Sequence, residues 1–436
     1  MSELRRALTM FDLTMIAIGS TIGSGIFLTP SAIAQTLPSP WLILAAWVRG
    51  GMMALAGALT FAELGGMMPR AGGIYVYLTE AYGGLAGFLF GWAYLLIVNT
   101  GGVAALSVAF ATYCGAFLPL GDGGRTALAV AGLAVVTAIN LVGVKSGGVF
   151  ADLFTALKLL GIALVIVVGL GWGGEAVFAP SDAPEPAGGW AGAFAAAMVG
   201  VLWSYGGWQH VTFTAGEAKD PSRTVPRAMA AGAAVVVAVY LLCNVAYLRL
   251  LPLGSVAAAD HLAVTAVEQV LGAAGGIAVA AAICISVYGT AGIYTMTAPR
   301  IYYAMAQDGV FFRKVADVHP RFRTPATAII VQSVWAVVLI LFWGTFENLI
   351  SYVVFTDWIF FGLTAAAVIV LRKRQPGRER AYRVWGYPFT PLFFIGVAAW
   401  FVGNTLVQRP EQAWAGLFFL GLGVPVYLAW RRRRAA

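Results

Sequence analysis

Long apolar segments, separated by short polar connectors, recur along almost the whole chain. A bilayer core about 30 Å thick requires about 20 residues of α-helix, and each segment is close to that length. No polar stretch is long enough to form a soluble core, so we expect a single all-α transmembrane domain over residues 1–436. The pattern predicts about twelve transmembrane helices, at residues 9–36, 41–62, 82–118, 126–143, 149–171, 191–216, 228–250, 272–297, 324–343, 349–371, 389–407 and 411–430.

The first and sixth segments differ from the others because glycines interrupt them in mid-membrane. The first contains GSTIGSG at residues 19–25, and the sixth contains SYGGW at residues 204–208. The two segments are predicted to run in opposite directions, as expected for inverted repeats, whose corresponding broken helices bind substrate between them. The alternative is that these glycines only permit close helix packing, which is common in membrane bundles.

Composition and charge indicate a membrane protein. The chain is 60% hydrophobic and only 11% charged, whereas an average soluble domain is about a quarter charged. The net charge of +8 does not imply nucleic acid, because the placement of Lys and Arg carries the information in a membrane protein. With a cytoplasmic N-terminus, only Arg125, Arg249 and Arg409 fall outside.

We therefore expect a multi-pass protein of the cytoplasmic (inner) membrane, surrounded by lipid, with both termini cytoplasmic. The alternative for the N-terminus is a cleaved signal peptide, since Arg5-Arg6 precedes an apolar run. That run is long for a signal peptide, and further transmembrane segments follow it.

The chemistry of the breaks favours a free amino acid as ligand. An unpaired backbone group in hydrocarbon costs several kcal/mol, so a helix breaks there only where another group satisfies it. The substrate carboxylate could accept hydrogen bonds from the N–H groups of Ser24, Gly25 and Ile26, at the positive end of a half-helix. Its ammonium could donate to carbonyls freed at helix ends. Those carbonyls are predicted to be those of Thr21, Ile22, Trp203 and Ser204.

Substrate size and charge would depend on the residues around the second break. Trp203 occupies room that a large substrate side chain would need, and its neighbours are Ser204, Tyr205 and glycines. No acidic residue accompanies them, so a cationic side chain has no obvious partner. We therefore expect small neutral L-amino acids. Trp203 and Trp208 could each instead serve packing or lie in an aromatic belt at the membrane interface.

Several motifs along the chain resemble the amino acid-polyamine-organocation superfamily, and more closely its L-type amino acid transporter branch with bacterial serine/threonine and alanine exchangers. The resemblance implies a LeuT-like fold, a five-plus-five inverted repeat with helices 1 and 6 unwound, at roughly 9–171 and 191–371, plus helices at roughly 389–430. It also implies amino acid exchange or uptake by alternating access. The matching stretches are 18–27, 61–64, 69–78, 205–208, 299–306 and 382–388.

The resemblance also implies roles for individual residues. Lys158 matches a lysine that stands in for the sodium ion of related sodium-coupled carriers by bridging the fifth, first and eighth segments. Its expected partners are the Gly19 carbonyl and the hydroxyls of Ser286 and Thr290, which lie four residues apart on one helix face. The alternative is a lysine that extends to the membrane interface. The implied substrate-binding residues are Thr21, Ile22, Ser24, Gly25, Trp203, Ser204 and Gly206.

Two positions depart from the family pattern. Gly292 stands where the eighth segment often has asparagine, and Arg49 stands where related chains usually have an apolar residue. An arginine within a membrane segment suggests a functional site or an ion pair. We expect Arg49 to pair with Asp357, the one carboxylate well inside the tenth segment. Such a pair could be structural or could relay protons.

A secondary transporter is the function that fits these features best. The segments lack the convergent His, Asp, Ser or Cys set of an intramembrane enzyme and the polar ring of a channel, and no metal or cofactor site is apparent. Because Lys158 would fill the sodium position, we expect sodium-independent exchange of amino acids such as alanine, serine, threonine and glycine. Proton-coupled symport by the same fold is the alternative. No obligatory partner subunit is expected, because bacterial relatives in this branch usually need none.

Overall fold

This computed structural model describes residues 4–115, 117–174, 189–343, 346–408 and 410–435, and these are predominantly α-helical. A π-helical turn, Tyr94–Val98, separates α5 from α6. The first helices are α1 (Met10–Thr21), α2 (Gly25–Thr36), α3 (Pro40–Met67), α4 (Ile74–Tyr82), α5 (Gly84–Ala93), α6 (Asn99–Cys114), α7 (Asp122–Leu141), α8 (Val144–Trp172) and α9 (Gly189–Ser204). The others are α10 (His210–Phe213), α11 (Pro221–Leu250), α12 (Leu253–Ala258), α13 (Leu262–Thr297), α14 (Pro299–Gln307), α15 (Ala326–Trp343), α16 (Phe346–Arg374), α17 (Phe389–Gln408) and α18 (Pro410–Ala435).

Ten helical stretches within the described ranges are long and apolar enough to cross a membrane. The predicted sixth and ninth transmembrane helices coincide with shorter apolar helices, Gly189–Ser204 and Ala326–Phe342. The chain is therefore a multi-pass α-helical membrane protein, while the number of twelve transmembrane helices stays a prediction. The ten stretches are Met10–Thr36, Pro40–Met67, Gly84–Cys114, Asp122–Leu141, Val144–Trp172, Pro221–Leu250, Leu262–Gln307, Phe355–Arg374, Phe389–Val407 and Ala413–Arg431.

A capping box fixes the start of α1. The Asp12 carboxylate accepts from the Thr9 N–H at 2.6 Å, and the Thr9 hydroxyl accepts from the Asp12 N–H at 3.3 Å. Just before this cap, the N–H groups of Ala7 and Leu8 donate to the Glu217 carbonyl at 2.8 and 3.0 Å. The beginning of the first helix is thereby tied to the segment that follows α10.

Helix α8 has two unlike faces, and this asymmetry orients Lys158. Large apolar side chains such as Leu153, Leu160 and Val167 are exposed on one face, as suits a surface against lipid. Thr155 and Lys158 are completely buried on the other face, which packs against α1, α11 and α13. The helix therefore directs its ammonium group into the bundle.

Buried ion pairs anchor the connecting segments. Arg300 on α14 and Glu217 form two hydrogen bonds of 2.6 and 2.9 Å, with both side chains almost fully buried. Glu63 on α3 accepts from the Arg372 guanidinium at 2.8 Å and from the Val384 N–H at 2.7 Å. These paired charges satisfy one another at the ends of the helices that surround the breaks.

Candidate substrate site

The predicted break in the first segment is present at residues 22–24, between α1 and α2. Helix α1 ends with the Ile22 N–H donating to the Ile18 carbonyl at 2.8 Å, and α2 begins at Gly25. The N–H groups of Ser24, Gly25 and Ile26 lie at the start of α2, where a helix has no internal acceptor for them. They are placed to bind an anion such as a carboxylate.

The second break follows α9, which ends at Ser204, and residues 205–209 are non-helical before α10 begins. The Gly207 N–H donates to the Gln209 side-chain carbonyl at 2.8 Å. Gly207 has a φ of 129°, and a Cβ atom there would lie only 2.3 Å from the Ser20 carbonyl oxygen. Glycine is required at this position because the two broken segments touch through their backbones.

Tyr240 on α11 joins the two breaks, a role that the sequence did not suggest. Its hydroxyl lies 2.9 Å from the Thr21 carbonyl and 3.0 Å from the Ser204 carbonyl, and its single proton can be donated to one of them at a time. The Ser20 hydroxyl lies 2.8 Å from the Gly207 carbonyl and 2.5 Å from the Ile16 carbonyl, so donation to Gly207 adds a second link between the breaks. A tyrosine in an apolar segment carries no pattern from which such a contact could be predicted.

The other two carbonyls predicted to accept from a substrate ammonium are also engaged by the protein. The Ile22 carbonyl accepts from Lys158 Nζ at 2.6 Å, and the Trp203 carbonyl accepts from the Gly206 N–H at 3.1 Å. Each carbonyl has two lone pairs and can accept a second hydrogen bond. A bound ammonium could therefore share the Trp203 carbonyl with the protein, whereas the Ile22 carbonyl already lies within 2.9 Å of both Lys158 Nζ and the Thr290 hydroxyl.

Lys158 lies at the centre of a polar cluster below the first break. Its Nζ is 2.8 Å from the Gly19 carbonyl, 2.6 Å from the Ile22 carbonyl and 2.7 Å from the Thr290 hydroxyl. Two of the predicted partners thus contact it, whereas the Ser286 hydroxyl lies 3.4 Å from the Ile22 carbonyl instead. The side chain is 0% exposed, so the alternative of a lysine extending to the interface is wrong.

A cavity with about 280 Å³ of empty space opens between the two breaks. The Ser24 hydroxyl at its edge is buried and has no hydrogen-bond partner within the described residues. Of the predicted substrate-binding residues, Ile22 and Ile26 do not line the cavity. Those that line it are Thr21, Ser24, Gly25, Trp203, Ser204 and Gly206.

The two tryptophans of the second break have different environments. Trp203 is half-buried and lines the cavity. Trp208 is 3% exposed and packs edge-on against Phe61, with 5.0 Å between the ring centroids, and against Phe394. Trp208 therefore serves packing, while Trp203 remains in reach of a ligand.

Gly292 on α13 is covered by an aromatic ring. A Cβ atom at Gly292 would lie 2.1 Å from a ring carbon of Phe150, and the Asn140 amide donates to the Gly292 carbonyl at 3.2 Å. Phe150 thus fills the space that a polar side chain at this position would need.

The predicted ion pair between Arg49 and Asp357 is wrong. The Arg49 side chain is exposed on α3, with its guanidinium carbon 5.9 Å from the centre of the Phe194 ring. Asp357 on α16 instead lines an interior cavity beside Trp203. Arg49 points out of the bundle, where its long side chain can extend along an apolar surface, whereas Asp357 points inward.

Comparison with known proteins agrees with these features. The sequence matches the family described as amino acid permease over residues 8–426. It is 33% identical to the serine/threonine exchanger SteT of Bacillus subtilis (strain 168), over 98% of this chain and 97% of that protein. It is 30% identical to the human b(0,+)-type amino acid transporter 1, over 99% of this chain and 91% of that protein.

The human large neutral amino acids transporter small subunit 2 is also 30% identical, over 97% of this chain and 80% of that protein. All three relatives are named as exchangers or transporters of amino acids rather than as enzymes. The chain belongs to the amino acid permease family of the amino acid-polyamine-organocation superfamily, within its L-type amino acid transporter branch, and is a membrane transporter and not an enzyme.

Proposed function

We propose that this protein exchanges small neutral L-amino acids, such as serine, threonine, alanine and glycine, across the cytoplasmic membrane by alternating access. The observation that carries this proposal is the pair of helix breaks, which place Ser24 and Gly25, at the start of α2, on a cavity that Trp203 also lines. A free amino acid satisfies the backbone groups at such breaks through its carboxylate and ammonium, and no charged side chain is needed to hold it.

Lys158 supports a mode that does not use sodium. Its ammonium donates to the Gly19 and Ile22 carbonyls, the type of helix-end carbonyl that coordinates sodium in transporters with broken helices. A permanently bound ammonium leaves no role for a sodium ion there. Exchange of one amino acid for another is then the simplest way to drive the cycle.

The proposal also covers the inverted repeats, the membrane orientation and the subunit composition of the protein. The two breaks lie in the first and sixth predicted transmembrane segments, which supports inverted repeats at roughly 9–171 and 191–371. The distribution of Lys and Arg supports cytoplasmic termini. The bacterial relative SteT is named simply as a serine/threonine exchanger, whereas a human relative is named as a small subunit, which supports function without a partner subunit.

Proteoliposomes that contain only this chain test the exchange directly. With labelled serine outside and sodium-free buffer on both sides, we expect rapid uptake when the vesicles are preloaded with unlabelled serine or alanine, and little uptake into empty vesicles. Added sodium should change neither rate. Uptake that is equal in loaded and empty vesicles would contradict exchange, and uptake that also does not change with pH would contradict proton coupling.

A further inference from the structure

A second cavity lies beside the one between the breaks. It has about 460 Å³ of empty space and lies among the π-helical turn, α6, α9, α10, α13 and α16. Trp203, Gly206 and Tyr294 line both cavities, so the second begins where the first ends. A substrate held by its carboxylate and ammonium at the breaks could direct its side chain into this space.

The second cavity contains polar atoms that the protein leaves unsatisfied. Asn99 is 1% exposed, and neither its amide oxygen nor its amide nitrogen has a hydrogen-bond partner among the described residues. Asp357 lines the same cavity, and its Oδ1 atom is also buried without a hydrogen-bond partner in the part of the chain that the structure describes. Two polar side chains with unpaired atoms in one cavity are costly inside a membrane protein unless a ligand satisfies them.

The other polar residues around Asp357 cannot neutralise it. No Lys or Arg of the described segments forms an ion pair with its carboxylate. His210 uses its Nδ1 with the Thr297 hydroxyl at 2.6 Å, and its ring stacks on Tyr294 at 4.1 Å. Tyr94 accepts from the Gln209 amide at 3.4 Å. The cavity therefore holds an acceptor that lacks a cationic partner.

We propose that Asp357 and Asn99 form a side-chain subsite that binds amino acids whose side chain ends in a hydrogen-bond donor, with an ammonium group as the strongest ligand. The proposal rests on the amino acid exchange proposed above and extends it beyond small neutral substrates. An ammonium would satisfy the carboxylate, and the Asn99 amide oxygen would accept a second hydrogen bond. A hydrocarbon side chain of the same size would leave both groups unpaired.

Competition by near-isosteric amino acids tests the subsite. The full chain in proteoliposomes exchanges labelled serine, and the inhibition of this exchange is compared within two pairs of unlabelled amino acids. One pair is ornithine and norleucine, and the other is threonine and valine. We expect ornithine to inhibit at a concentration about tenfold lower than norleucine, because hydrogen bonds to charged groups carry about that selectivity. Asp357→Asn keeps the size of the side chain and should reduce the ornithine-to-norleucine preference about tenfold.

Asp152→Asn is the matched control, because Asp152 on α8 is also a carboxyl with an unpaired buried oxygen but does not line the cavity. It should keep the wild-type preference. Asn99→Leu should also lower the preference, and it replaces Asp357→Asn if that variant does not fold. Equal inhibition by ornithine and norleucine in the wild type, or a preference that Asp357→Asn leaves unchanged, overturns the subsite.

Two further outcomes distinguish the subsite from a proton-carrying role of Asp357 and from a failure of the proposed transport function. If serine exchange depends on pH, and Asp357→Asn removes that dependence without altering the preference, the carboxyl carries a proton and the subsite is overturned. If the wild-type chain exchanges no amino acid at all, the proposed transport function fails, and the subsite fails with it.

Discussion

Replacing Lys158 by alanine is expected to lower the rate of serine exchange about 100-fold, since two buried carbonyls lose their charged donor and hydrogen bonds to charged groups contribute about 1.5–3 kcal/mol. Those carbonyls belong to Gly19 and Ile22, on either side of the end of α1. Thr290 on α13 would also lose its contact with Nζ. The connection from α8 through the first break to α13 would be broken, and initial rates in preloaded proteoliposomes measure the effect.

Lys145→Ala is the control for this experiment. Lys145 begins the same helix, but its side chain is exposed. Its loss should leave exchange at the wild-type rate. Size-exclusion chromatography in detergent shows whether both variants remain folded. Wild-type kinetics in a folded Lys158→Ala protein would refute the role of the ammonium at the first break.

Gly25→Ala is expected to reduce exchange by ten- to 100-fold, since overpacking of this kind costs about 1–3 kcal/mol. A Cβ atom at Gly25 would lie 2.6 Å from the Ser204 hydroxyl and 2.8 Å from the Ser204 Cα atom. The start of α2 and the end of α9 would have to separate, which would displace the N–H groups that face the cavity. Both the maximal rate and the half-saturating concentration of serine should change.

Gly200→Ala is the matched control on α9. A Cβ atom there would lie 3.4 Å from Thr29, an ordinary van der Waals distance. It should leave exchange nearly unchanged. If Gly25→Ala and Gly200→Ala behave alike, the close approach of the two breaks has no part in transport.

The positions of the helix breaks could be predicted from the sequence because they depend on local chemistry. Glycines in mid-membrane mark places where backbone groups leave the helix, and the structure interrupts both segments there. The contacts of Lys158 with Gly19 and Thr290 followed from the family resemblance, because a buried cation needs oxygen partners and the motifs supplied them. The contact with the Ile22 carbonyl was not predicted, because it depends on how far the chain unwinds.

Contacts between distant segments were harder to predict. Tyr240 and Asp357 are polar residues in largely apolar helices, and periodicity does not show which neighbour they face. The expected Arg49–Asp357 pair relied on charge alone, and the structure shows Arg49 on the outside of the bundle. The expectation of an Arg49 pair also meant that the Asp357 carboxylate was not expected beside the second break. No acidic residue lies near that break in the sequence.

The central claim is that an amino acid binds at the two breaks, and a cryo-electron microscopy structure with bound serine tests it most directly. The predicted result is a serine whose carboxylate lies within hydrogen-bond distance of the Ser24, Gly25 and Ile26 N–H groups, with its ammonium near the Thr21 or Trp203 carbonyl. Serine bound elsewhere in the protein, with these N–H groups left unoccupied at a concentration that saturates exchange, would contradict the claim.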